Sequence, residues 1–169
     1  MKYLRALVSW VTVFWICFVF LVSLPYKFTL HPDTQHIFTT IGDWLGTFFG
    51  ETFGSVFGNY GSYVIGGIEL ATCIVLLLPI LLWIISKISG SFFGVTRRRF
   101  HMIGGLMASA VMSGAVFFHL FSPLGIEVLH QGQSDNGSLF YKAVSILGLG
   151  VVLFIINCGW TEREKHEYV

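Results

Sequence analysis

The stretch Ser62-Tyr-Val-Ile-Gly-Gly-Ile-Glu-Leu-Ala-Thr-Cys-Ile-Val-Leu-Leu-Leu-Pro-Ile-Leu-Leu-Trp-Ile-Ile-Ser86 decides the fold. About 20 mainly apolar residues suffice to cross the hydrocarbon of a bilayer, and this run holds one charge, Glu69. A carboxylate at mid-membrane costs on the order of 3 kcal/mol. The fourteen Val, Ile and Leu residues from Val64 to Ile85 return roughly 4 to 8 kcal/mol in favour of insertion. The helix is therefore expected to insert, with Glu69 facing protein or a wet cavity.

Three more windows read the same way, giving spans at 6–23, 62–86, 102–122 and 143–160. The 169 residues are 54% apolar and only 11% charged, against about 25% charged for a soluble domain. The chain reads as a single membrane domain over 1–169, with no segment left for a soluble one. The first apolar run is longer than a signal core and no small-x-small site precedes Pro25, so it reads as a retained helix.

Basic residues set the orientation. Lys2, Arg5, Lys87, Arg97, Arg98, Arg99, Arg163 and Lys165 fall on one side of the four spans; Lys27 and Lys142 fall on the other. Both termini are expected in the cytoplasm. A net charge of +1 gives no reason to expect a nucleic-acid partner. Cys17, Cys73 and Cys158 sit in three different spans without a CxxC pair, which argues against a disulfide framework or a zinc site. His31, His36, His119 and His130 lie on the outer side, and none shows metal-ligand spacing.

Between the first two spans, glycine recurs at Gly42, Gly46, Gly50, Gly54 and Gly58. Aromatic or leucine residues stand one step earlier and polar residues one step later, making three stripes on a helix. An outer-face amphipathic or re-entrant helix over about 34–60 is predicted, with the glycines as a close-contact stripe; a flexible glycine-rich loop is the alternative. Asp33 or Thr34 is its expected N-cap. Gly104 with Ala108, Ser109 with Ser113 and Ala110 with Gly114 form a second small-residue ladder, in span three. Pro79 is expected to kink span two.

Counting depth from the span ends puts Glu69 roughly 10 Å below Ser62 and His119 roughly 5 Å below Ser122, at a rise of about 1.5 Å per residue. Lys27, just beyond span one, reaches inward along its stem. Glu69, His119 and Lys27 are thus expected at one depth, lined by Tyr26, Tyr63 and other aromatic residues. Two readings stay open: an ion pair that ties helices together, or a small outward pocket that binds a polar headgroup such as a quinone or moves a proton.

Tyr26-Lys27-Phe28 closing the first helix, the glycine-punctuated stretch, Gly66-Gly67-Ile68-Glu69-Leu70, the basic Arg97 to Arg99 loop and His119-Leu120 together resemble the DoxX family of small four-helix membrane proteins. The resemblance implies an all-α four-helix bundle in a bacterial cytoplasmic (inner) membrane, with Lys27 and Glu69 at family positions. It also implies a redox-associated, quinone-linked membrane subunit that works with a membrane or periplasmic redox partner. The alternative is a non-catalytic protein that binds a lipid or a partner membrane protein in a chaperone or assembly role, alone or as a homo-oligomer in the bilayer. No motif identifies a stand-alone enzyme.

Overall fold

The computed structural model describes residues 2–90 and 97–158. Five helices and a two-stranded hairpin follow in order: α1 (Lys2–Phe28), α2 (Pro32–Phe49), α3 (Glu51–Ser89), α4 (Arg97–Phe121), β1 (Leu129–His130), β2 (Gln133–Ser134) and α5 (Ser138–Cys158). α1, α3, α4 and α5 are each long and apolar enough to cross a membrane, an arrangement compatible with an all-α membrane bundle. Residues 159 and 160 of the fourth expected span, and the basic Arg163 and Lys165, lie outside the described residues.

Two helices stand where one was expected over 34–60. The chain turns at Gly50, whose φ of 93° is a conformation that glycine adopts without the Cβ clash other residues meet. α2 therefore folds back on the first turns of α3, and 39 residues run continuously from Glu51 to Ser89. At about 1.5 Å per residue α3 is roughly 58 Å long, nearly twice the hydrocarbon thickness of about 30 Å. Its N-terminal part is thus not a span but half of an α2–α3 hairpin. α3 also continues through Pro79, and α1 through Pro25 to Phe28.

The start of α2 differs from expectation by two residues. His31 is the N-cap, its ring accepting from the Asp33 N–H, and Pro32 occupies the first turn. Proline has no N–H to leave unsatisfied there and its fixed φ suits the position, so the helix begins ahead of Asp33 and Thr34.

Packing of the bundle follows the small residues. A Cβ on Gly105 of α4 would lie 2.8 Å from the Gly150 carbonyl oxygen of α5, and Ser109 Oγ donates to the Leu147 carbonyl at 3.1 Å. These contacts bring α4 and α5 backbone to backbone. Val13, Ile16 and Phe20 of α1, Leu76 of α3, Ala108 and Met112 of α4, and Ile146 and Leu153 of α5 form the apolar middle. A second cluster, Ile41 and Leu45 of α2 with Leu124 and Val128, fastens the α4–α5 connection to the hairpin.

Asp135 organises that connection. Its carboxylate accepts the backbone N–H of Val128 at 2.8 Å, Gly137 at 3.0 Å and Leu139 at 3.0 Å. Burial opposes the charge, but the three N–H donors and the nearby His119 outweigh it and hold the carboxyl below its ordinary value. A lowered folded-state pKa means stability that is present above the ordinary aspartate value of about 3.9 and lost as pH falls beneath it. Asp135→Ala should lower the melting temperature at pH 7, at a cost of about 1 to 2 kcal/mol, and much less at pH 3, as followed by thermal unfolding in detergent.

Candidate functional site

Glu69 lies on the buried face of α3 with Ser62, Gly66, Thr72, Cys73 and Leu76. The 3.6-residue period puts these positions on one side of the helix, and α1 covers them. Lys27 Nζ pairs with Glu69 Oε2. Ser23 Oγ lies 3.0 Å from the same oxygen and 2.8 Å from the Phe20 carbonyl, with one proton to share between the two acceptors, while Lys27 Nζ donates to Ser23 Oγ at 3.0 Å. Ser23 and Lys27 are one turn apart on α1, so a single helix edge supplies both partners. Gly66 leaves room for this edge: its Cβ position would touch Lys27 Cβ and the Phe28 ring at 3.4 Å.

The carboxylate is closed in. Glu69 is 1% exposed, and the Lys27 side chain 16%. Taking two ions out of water is tolerated only when each is paired and hydrogen-bonded; Ser23 completes that requirement at Oε2. Nearby, the Ser62 hydroxyl is fully buried with no partner among the described residues.

His119 does not join this group. Its Nδ1–H donates to the Gly125 carbonyl at 2.7 Å and its ring stands edge-on to Phe140. Ser62 is not the start of the helix: α3 begins at Glu51, so Glu69 sits about 27 Å from its first residue. His119 instead pins the α4–α5 connection. Tyr26 is half exposed with its ring against His31, and Tyr63 is 38% exposed; neither closes over Glu69.

The glycine stripe is consumed inside the chain. A Cβ on Gly42 would lie 2.5 Å from the Gly54 carbonyl and 2.9 Å from Gly58 N; one on Gly54 would lie 2.9 Å from Gly46 Cα. Gly46, Gly54 and Gly58 thus face one another across the hairpin, and Gly50 is its turn. The stripe is not left as an outward surface for a partner. What the hairpin does expose is Phe48, Phe49, Phe53, Val56 and Tyr60; a separate cavity of about 450 Å³ between its helices is lined by Gly42, Gly46 and Gly54 with Asp43, Thr47, Glu51 and Ser55.

Two buried groups were invisible to spacing. At the opposite end of the bundle, His101 Nδ1 lies 2.7 Å from Ser9 Oγ, and Asn157 Nδ2 donates to the same oxygen at 3.2 Å. Trp10 packs edge-on against His101, whose Nε2 has no partner among the described residues. Three polar residues, each close to a different span end, were the available signal. In the middle of the bundle Cys17 of α1 and Cys73 of α3 are buried in one apolar cluster. The absence of a CxxC motif concealed that pair, because its members come from two helices 56 positions apart.

Compared with protein-family models, with curated proteins and with solved structures, the chain matches none of them.

Proposed function

We propose that this chain is a non-catalytic integral membrane protein whose α2–α3 hairpin engages a second membrane protein. The observation that carries the reading is the hairpin's surface. Its glycines bring the two helices together, and what remains exposed is a set of aromatic residues, Phe48, Phe49, Phe53 and Tyr60, together with two carboxylates, Asp43 and Glu51. Aromatic residues next to a polar rim are the composition of a protein contact, whereas a face turned only to lipid has no use for the acids. The Lys27–Glu69 pair is, on this reading, the clasp that sets α1 against α3. Photo-crosslinking residues placed at Thr47, Phe49 and Phe53 in cells should each capture one and the same protein band. Capture of lipid alone at all three positions would sink the reading.

A second reading is favoured by the burial of Cys17 and Cys73 in one cluster between α1 and α3. Two thiols that can be brought together are a two-electron group, and a lipid-soluble quinone is the oxidant that could reach residues 3% and 2% exposed. In a quinone-linked subunit of the DoxX-like kind the dithiol would give up two protons and two electrons, forming a disulfide and the quinol. Mass spectrometry after incubation with a short-chain quinone would then show a Cys17–Cys73 cross-link. Full alkylation of both thiols after that incubation speaks for two inert core cysteines.

A further inference from the structure

The buried polar group at the far end of the bundle has a fixed hydrogen-bond direction. Asn157 Nδ2 donates to the Leu153 carbonyl at 2.8 Å and to Ser9 Oγ at 3.2 Å, so both amide protons are spent. The Ser9 hydroxyl has one proton, and the acceptor within its reach is His101 Nδ1 at 2.7 Å. Nδ1 therefore accepts, and the imidazole proton sits on Nε2. That N–H is buried and meets no acceptor among the described residues; Trp10, edge-on to the ring, has no lone pair to offer it. A buried donor without an acceptor is costly, so this position calls for one. We propose that His101 and Arg97 hold the phosphate group of an anionic phospholipid at the end of the bundle opposite the Lys27–Glu69 pair.

Side chains on a helix lean toward its N-terminus, over the residues three and four places earlier. The His101 ring is thus carried back over Arg97, where α4 begins. Arg97 reaches α1 through one N–H, 3.4 Å from the Ala6 carbonyl, longer than the usual range of about 2.7 to 3.2 Å. Its other donors meet no acceptor among the described residues, and a guanidinium fork matches two phosphate oxygens at once. The first turn of a 25-residue helix adds the positive end of its dipole. No Asp or Glu stands against these donors among residues 2–10, 80–90, 97–105 and 150–158. The acceptor has to come from outside the chain, and at the end of a membrane-crossing helix the phosphate at hand is that of a headgroup. An anionic lipid fits best, because its headgroup brings no cation in among the arginines.

Thermal unfolding of the full chain in detergent, titrated with phosphatidylglycerol, phosphatidylcholine or inorganic phosphate, tests this. Phosphatidylglycerol should raise the melting temperature saturably. Arg97→Gln should weaken that titration by at least about tenfold, as expected for a lost charge-assisted hydrogen bond. Arg99→Gln makes the same charge change at an exposed position of the same turn. It should weaken the titration by no more than about fivefold, the share of one basic residue beside an anionic surface. His101→Phe should also lose the response; the readout is the shift on adding lipid, so a lower starting temperature does not obscure it. Stabilisation by inorganic phosphate that Arg97→Gln abolishes would keep the phosphate site and make its source a soluble ion. Equal responses to the two lipids, equal weakening by Arg97→Gln and Arg99→Gln, or a His101→Phe response equal to wild type would each overturn the proposal.

Discussion

Lys27→Met should destabilise the bundle by about 3 to 5 kcal/mol, the cost of leaving one member of a buried ion pair without its partner. Glu69 would then be a carboxylate 1% exposed with only Ser23 to bond it. Lys27→Met combined with Glu69→Leu should recover most of the loss, because an apolar pair of similar volume needs no desolvation. Thermal unfolding of the two single variants and the double variant in one detergent closes the cycle. A double variant as unstable as the singles would show that the pair does more than tie α1 to α3, and would reopen a role for the carboxylate itself.

Gly42→Ala and Gly46→Ala should move stability in opposite directions, although they are four residues apart on one stripe. At Gly42 the new Cβ meets the Gly54 carbonyl at 2.5 Å and Gly58 N at 2.9 Å, both backbone atoms that cannot step aside. Forcing that contact apart costs about 1 to 3 kcal/mol by analogy with overpacked cores. At Gly46 the nearest atoms are 3.7 Å away, an ordinary contact, so alanine contributes its helix preference of up to about 1 kcal/mol. Chemical denaturation or thermal melting of each variant reads the sign. If both variants lost stability alike, the hairpin would not be packed as described.

The four crossing helices were legible because each is a long apolar run, and lipid demands little else of a span. Glu69 was legible for the same reason inverted: one charge in such a run has to be dealt with. Its partner Lys27 was in reach by counting, whereas His119 was misplaced by counting, since Ser62 reads as a span end and α3 does not stop there. The break at Gly50 escaped because the period-four stripe runs unchanged through it. A stripe of small residues is written identically whether it faces another molecule or folds back on itself, and only the left-handed φ of one glycine distinguishes the cases. The Ser9–His101–Asn157 group and the placing of Cys17 and Cys73 in one cluster depend on the relative rotation of α1, α3, α4 and α5, which packing sets and local sequence does not.

The Lys27–Glu69 clasp also bears on how the molecule responds to membrane voltage. A single charge moved across a bilayer exchanges about 2.3 kcal/mol with the field for every 100 mV. Held together, an ammonium and a carboxylate sum to zero, so the field exerts no net pull on α1 or α3 through them. Between this pair and the Ser9–His101–Asn157 group, Val13, Ile16 and Phe20 pack against Leu76 and Ile146, a layer without ions. The bundle is in this respect an electrical insulator with a silent charge pair.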